Sequence, residues 1–185
     1  MSYGWQGVKV RLVPLDRAAH LENALRWFND PEITERTLVG DLPIGRLAEE
    51  AFFEQALRTD PAGTPTEITF AVETLNGEHV GLTGFYRIEW RHGAATSGIV
   101  IGSRERWGQG LASDAISVRT RYAFEALGLR LLLAEAMADN PASLRMLVSA
   151  GYREVGRIPG RYFKRGAYRD AVLFALHRDD RARAS

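Results

Sequence analysis

Asn76-Gly77 restricts the folding of this chain more than any other pair of residues. It separates two runs of period-two alternation, "EITFAVET" and "HVGLTGFYRIE". An Asn-Gly pair fills the positive-φ positions of a tight turn without strain, so the two runs are expected to pair as an antiparallel hairpin. A third alternating run, "ATSGIVIG", follows the polar turn Arg91 to Gly93. Together they predict an antiparallel meander, and the remaining elements have to be laid against it.

Upstream, Val8 to Val13 alternates and is closed by Pro14 and Asp16, a first strand. Ala18 to Phe28 carries Leu21, Leu25 and Phe28 at helical spacing. "NDPE" (Asn29 to Glu32) breaks that helix, because the residue before a proline avoids the helical region. Leu47 to Leu57 predicts a second amphipathic helix, followed by a loop rich in Pro, Gly and Thr from Asp60 to Pro65. Downstream, a helix runs to about Leu127 with Gly128 as its C-cap, and "LRLLLAEAMA" reads as a buried strand. Asn140 opens a further helix with Pro141 in its first turn, and Gly151 ends it. Tyr152 to Arg157 and Tyr168 to His177 are two last strands flanking a loop, "IPGRYFKRGA".

The expected order is β-α-α-β-β-β-α-β-α-β-β. This is an α/β (α+β) single domain over residues 1–178, with about four helices flanking a mixed, mostly antiparallel sheet of about seven strands. Residues 179–185 are expected to form a flexible tail. A chain of 185 residues with 45% hydrophobic residues is large enough to bury a core unaided. It has no cysteine, which excludes disulfides, thiolate metal sites and a cysteine nucleophile, and no metal is expected. A net charge of +1 argues against nucleic acid as a partner. The N-terminal "MSYGWQGVKVRLV" lacks the apolar centre of a signal peptide and no run is long enough to span a membrane, so no membrane partner and a cytoplasmic location are expected.

Between the meander and the next helix lies "RERWGQGLASDA", Arg104 to Ala115. A helix N-terminus offers unpaired N–H groups and a partial positive charge, and glycines just before it let an anion approach the backbone. Gly108, Gly110 and Ala112 suit such a phosphate cradle, although a tight connection needing positive φ would use the same residues. A nucleoside-triphosphate loop is excluded, because Leu111 and Ala112 stand where Lys-Ser/Thr is needed. A dinucleotide fingerprint fits poorly, since Ser113 stands at the third glycine position and the preceding strands form a meander.

The block from "GIVIGSRERWGQGLASDA" to "SLRMLVSAGY" resembles the GNAT family of acetyl-CoA-dependent N-acetyltransferases, and within it the ribosomal-protein (RimJ/RimL) type. Trp107-Gly-Gln-Gly-Leu-Ala112 is similar to the family's pyrophosphate loop, with tryptophan in place of Gln/Arg at the first position. Asn140-x-x-Ser143 with "SAGY", together with "NDPE", "YAFEALGL" and "GAYRDAVLFAL", extends the resemblance over most of the chain.

The resemblance implies direct transfer of acetyl from acetyl-CoA to a primary amine, either a protein N-terminus or a small-molecule amine. It implies that Ile99, Val100, Ile101 and Gly102 run beside the pantetheine arm, with the Ile101 N–H as oxyanion donor. Backbone N–H groups of Trp107, Gly108, Gln109, Gly110, Leu111 and Ala112 would hold the pyrophosphate, and Asn140 and Ser143 the far side of the cofactor. Asn140 before Pro141 is equally an ordinary N-cap.

Thr96 stands where many relatives carry a glutamate base, leaving Glu135, Glu89 or a water chain. Leu147 stands where many carry a tyrosine acid, leaving Ser143 as general acid. Asp30 and Glu32 would face a cationic amine or simply solvent. Trp27, Phe28, Phe52, Phe53 and Trp90 read as core or pocket wall. Arg161, Lys164 and Arg165 would meet an acidic substrate, the 3′-phosphate of CoA or water. Thr96 and Leu147 also motivate an alternative, a catalytically silent acyl-CoA-binding module of the same fold. Relatives include homodimers, and no pattern in the chain selects an oligomeric state.

Overall fold

A computed structural model describes residues 5–38, 42–57 and 65–182. Seven strands make one sheet: β1 (Val10–Pro14), β2 (Ile68–Thr74), β3 (His79–Glu89), β4 (Ala94–Ile101), β5 (Leu131–Met137), β6 (Arg153–Lys164) and β7 (Ala167–His177). Their order across the sheet is β1-β2-β3-β4-β5-β7-β6, antiparallel throughout except for the parallel pair β4–β5. The helices are α1 (Arg17–Phe28), α2 (Pro31–Thr34), α3 (Arg46–Leu57), α4 (Leu111–Glu125), α5 (Pro141–Ser149) and α6 (Arg178–Ala182). The expected meander is β2-β3-β4, with Thr74 and Glu78 closing the Asn76-Gly77 turn through a 2.9 Å backbone bond.

Alternation along the strands divides the core in two. Phe85 of β3, Ala95 of β4 and Leu132 of β5 pack on one face with Ile116 of α4 and Leu147 of α5. Ala71 of β2 and Leu82 of β3 face the other way, onto Leu21 and Ala24 of α1 and Phe53 of α3. Two-sided burial of this kind is what a mixed sheet with helices on both faces requires.

Three expectations change. The loop placed at "IPGRYFKRGA" is strand for most of its length: β6 continues to Lys164, and its register shifts between Ile158 and Tyr162. Pro159-Gly160 is absorbed there as an irregularity, with the Gly160 N–H donating to Asp170 Oδ1 (2.8 Å). The turn itself is Arg165-Gly166, both at positive φ, as a two-residue hairpin demands. "NDPE" stops α1 and also starts α2, because Asp30 caps it by accepting from the Glu32 N–H (2.9 Å) with Pro31 in the first turn. At the C-terminal end, where a flexible tail was expected, α6 extends to Ala182; residues 183–185, like 60–64 of the expected Asp60 to Pro65 loop, lie outside the described residues.

His79, at the start of β3, is buried among aromatic rings, with His20 and Trp27 centroids at 4.5 and 4.6 Å. Its Nε2 donates to Gly81 O (3.0 Å). Burial, reinforced by the neighbouring His20, lowers its pKa from 6.5 to about 4. The folded state therefore keeps His79 neutral at pH values where the unfolded chain protonates it. Stability from this site is complete above pH 6.5 and is lost as the pH falls toward 4, by about 2–3 kcal/mol. Urea titrations from pH 7 to 4.5 are expected to show this loss in the wild type, with a shallower slope in His79→Gln, which keeps an amide donor for Gly81.

Candidate functional site

β4 and β5 pair only at Ala94–Leu131, Ala95–Leu132 and Thr96–Leu133. Past that point β4 stays with β3 as far as Ile101, and β5 stays with β7 as far as Met137, so the two part. A cleft of about 390 Å³ fills the opening, walled by Ser97 to Val100 on one arm and Glu135 to Met137 on the other.

The apex of this V is pinned by buried polar groups. Ser97 Oγ donates to Leu133 O across the split (3.2 Å) and meets Tyr152 Oη (3.0 Å). Arg119 of α4, 1% exposed, donates to Ser97 Oγ (3.1 Å), Thr83 Oγ1 (2.8 Å) and Gly98 O (2.6 Å). A guanidinium can hold three acceptors at once because its donors are fixed in a plane. No carboxylate pairs with it among the described residues; the dipoles of β3 and β4 take that place.

Along β4, the Gly102 N–H donates back to Val80 O on β3 (3.0 Å). Alternation then turns the N–H groups of Ile99 and Ile101 away from β3, into the opening. The Ile101 carbonyl on that edge is taken by Trp107 Nε1 (2.7 Å). Trp107, which stands in place of the Gln/Arg of the resembled loop, thus spends its indole N–H closing the loop onto the end of β4. Its own backbone N–H donates to Arg104 O (3.0 Å), so of the loop donors expected from Trp107 to Ala112 the first is already engaged.

Gly108 and Gly110 both adopt left-handed φ (75° and 78°), and Gly110 is the N-cap of α4. Asp114 N–H donates to Gly110 O (3.1 Å), leaving the N–H groups of Leu111, Ala112 and Ser113 without an i−4 carbonyl, as at any helix start. The Asp114 carboxylate accepts from the N–H groups of Val8, Lys9 and Val10 (3.2, 2.8 and 2.9 Å), tying the lead-in of β1 to the helix. That tie brings Lys9 Nζ to Gln109 O (2.7 Å). The sequence has no lysine next to the loop; the fold supplies one from 100 residues away.

On the opposite arm Asn140 is the N-cap of α5, accepting from the Ser143 N–H (3.2 Å). Its Nδ2 donates to Arg36 O (3.0 Å). Arg36 lies over the Trp107 ring, its Cζ 5.4 Å from the centroid, so the segment after α2 bridges both arms. Ser143 and Asn140 line the cleft with Ile99 and Val100; Ile101, Gly102 and the loop from Trp107 to Ala112 continue beyond its walls. Leu147 is core, 4% exposed.

Thr96, Glu135 and Tyr162 share the cleft wall with Tyr86 and the half-buried Phe28 and Phe52. Tyr162 donates to Glu135, and burial first, then this acceptor, pushes the phenol up to about 12. Arg87 and Arg161 each stand 3.9 Å from a Glu135 oxygen. Burial also raises the Tyr86 phenol. Asp30 and Glu32 are not brought here: both pair with Arg104, outside the cleft walls. Glu89 is exposed, Lys164 donates to Thr34 O and Arg165 to Pro31 O, while Trp27 and Phe53 are core. Lys9, Arg87, Arg119 and Tyr162 escaped sequence reasoning. Only the position of Arg119, on the buried stripe of its helix between Ile116 and Ala123, offered a signal.

A family model described as the acetyltransferase (GNAT) domain matches residues 9–153. The chain is 32% identical over 99 residues to the uncharacterized N-acetyltransferase YoaA of Bacillus subtilis (strain 168), covering 54% of this chain and 55% of that protein. It is 31% identical over 111 residues to a spermidine N(1)-acetyltransferase of Escherichia coli (strain K12), covering 60% and 59%. These matches span less than two thirds of either relative. A solved structure of spermidine N-acetyltransferase from Vibrio cholerae, in complex with CoA and spermine, superposes with a TM-score of 0.83 at 21% identity, covering 92% of this chain and 96% of that one. At that identity the likeness concerns the fold.

Replacing Arg119 by Met removes one donor each from Gly98 O, Thr83 Oγ1 and Ser97 Oγ, although Gly98 O keeps the Thr83 hydroxyl (2.8 Å). The expected cost is roughly 2–4 kcal/mol of stability in urea denaturation. Arg119→Lys, which supplies one point charge for three acceptors, is expected to recover only part of it.

Proposed function

This chain belongs to the acetyltransferase (GNAT) domain family, and on that premise we propose that it is an acetyl-CoA-dependent N-acetyltransferase acting on a primary amine. The observation that carries the reading is the split between β4 and β5, whose inner edge leads to the cradle at the N-terminus of α4. Its donor set fits the two ends of an acyl-CoA. The N–H groups of Ile99 and Ile101 suit the amides and thioester carbonyl of an extended pantetheine arm, in the manner of an added strand. The N–H groups of Gly108 to Ser113, with Lys9 beside them, suit a pyrophosphate. Asn140, engaged as an N-cap, would present α5 rather than its own amide to the cofactor, and Ser143 lines the cleft beside it.

Bound in this way, acetyl-CoA supplies an acetyl group activated as a thioester. The Ile101 N–H would then face the carbonyl oxygen as negative charge develops on it, a contact worth roughly 3 kcal/mol in comparable sites. Glu135 is committed to Tyr162 and stands between two arginines, so we assign it to the wall of the acceptor pocket and not to taking a proton. The amine would lose its proton to solvent through the open cleft. At pH 7 this costs roughly 1 kcal/mol for an α-amine and 4–5 kcal/mol for an alkylamine. That difference favours an α-amine acceptor. Ser143 is the group best situated to return a proton to the leaving thiolate. The burial of Leu147 in the core and the engagement of Glu135 favour a second reading, an acyl-CoA-binding module without transfer.

Thermal shift with acetyl-CoA, CoA, NAD and ATP, followed by CoA-release assays on a panel of amines, tests both. Acetyl-CoA and CoA are expected to raise the melting temperature by several degrees and NAD and ATP to leave it unchanged, with CoA released in the presence of an amine. In Gly110→Trp, which places a ring beside Lys9 Nζ at a left-handed position, CoA affinity is expected to fall at least tenfold. No shift with either CoA species overturns the proposal, and a shift without transfer to any amine selects the silent module.

A further inference from the structure

The acceptor wall carries an unusual balance of charge. Among the described residues the cleft is lined by three arginines, Arg36, Arg87 and Arg161, against one carboxylate, Glu135. Arg36 lies at the mouth, over Trp107 and beside Asn140, on the side of the loop. Arg87 and Arg161 stand on either side of Glu135, over the wall that faces α1 and α3.

These two are held apart from their carboxylate in a way the neighbouring arginines are not. Arg169 closes on Asp139 and Arg157 on Glu154 at 2.7 Å, the length of a charge-assisted hydrogen bond. Arg87 and Arg161 both stop at 3.9 Å from Glu135, whose Oε2 is occupied by the Tyr162 hydroxyl. Among the described residues, Arg87 hydrogen-bonds Thr96 Oγ1 (3.3 Å). Their side chains are 68% and 46% exposed, and Arg161 also lies over the Tyr162 ring, its Cζ 5.5 Å from the centroid.

The backbone has been bent to put them there. Arg87 has φ 49°, a left-handed conformation that a residue with a Cβ adopts at a cost, at the point where the β3–β4 register shifts between Tyr86 and Glu89. Arg161 sits inside the irregular stretch of β6 between Ile158 and Tyr162. Two distortions on separate strands aim two guanidinium groups over one wall. A guanidinium fork matches a carboxylate in shape and charge, whereas a polycation meets repulsion from both.

We propose that the acceptor is a primary amine that itself carries a carboxylate, held by Arg87 and Arg161, and not a polyamine. Glu135 and Tyr162 position the pair: the carboxylate keeps the two guanidinium groups on either side of it, and the phenol keeps the carboxylate from closing on either. The inference rests on the acetyl-transfer reading only for the identity of the reacting amine; the anion site stands on the cleft geometry alone.

The test begins with calorimetry on the CoA-saturated chain, using aspartate, an alanyl-aspartate peptide, its alanyl-asparagine amide counterpart and spermidine. CoA-release kinetics follow with each. The carboxylate-bearing ligands are expected to bind at least tenfold more tightly than the amide counterpart and spermidine, and the double variant R87Q/R161Q to abolish that preference. Urea midpoints confirm that the variant is folded, and R87K/R161K is expected to restore part of the preference. Tighter binding of the peptide than of aspartate assigns the site to a polypeptide N-terminus; the reverse assigns it to a free amino acid. Equal binding of all four, no binding of any, or a preference for spermidine overturns the proposal. A carboxylate preference without release of CoA overturns the acetyl-transfer reading and leaves the anion site intact.

Discussion

The hydrogen bonds of Arg119 at the point where β4 leaves β5 are the constraint on which the rest of the site depends. Two parallel strands normally zip along their whole length, because each added pair satisfies more backbone groups. Here the ladder stops after three pairs. What replaces the next rung is side-chain chemistry: Ser97 reaches across to Leu133 O, and a buried guanidinium holds Ser97, Thr83 and the Gly98 carbonyl from below. Fixing the apex in this way leaves the N–H groups of Ile99 and Ile101 unpaired on an inner edge. An unpaired edge is costly unless water or a ligand completes it, so the split creates a demand for an extended, amide-bearing partner.

The same parting of strands assigns different work to the two faces. On the side of α4 and α5 the backbone dominates: left-handed glycines and helix-start N–H groups of one segment are joined by Lys9 from a second. On the side of α1 and α3 the side chains dominate, with two tyrosines, one carboxylate and the arginines of β3 and β6 around Thr96. Backbone donors recognise features common to every acyl-CoA. Side chains carry the differences, so the choice of acceptor depends on the second face. The likeness in fold to polyamine acetyltransferases therefore says little about the acceptor, because at 21% identity it concerns the backbone and not the side chains of that wall.

What was legible from sequence follows the range of the interactions involved. Asn76-Gly77, Gly108, Gly110 and Pro141 impose backbone conformations on themselves and their neighbours, and the meander, the cradle and the start of α5 were read from them. The second half of β6 was missed because Pro159-Gly160 looks like a loop until Asp170 is known to stand across from it. Lys9 and Arg119 were invisible for a related reason: a lysine before a strand and an arginine in an amphipathic helix look solvated until the fold brings distant acceptors to them. The sequence left Asp30 and Glu32 open between a cationic amine and solvent because Arg104, which pairs with both, lies 72 residues from Glu32. The acidic-substrate reading of Arg161 was one of three alternatives in the sequence. The positive φ of Arg87 and its place opposite Arg161 belong to the register of the sheet.

The central claim is that the split edge of β4 and the start of α4 form one continuous set of donors for an acyl-CoA. Backbone amide hydrogen exchange, followed residue by residue by NMR with and without CoA, tests it most directly. The account predicts that saturation with CoA slows exchange at Ile99, Ile101 and Gly108 to Ser113 together, while Gly102, already bonded to Val80, changes little. Protection confined to the loop, or no protection on the β4 edge at saturating CoA, would contradict it.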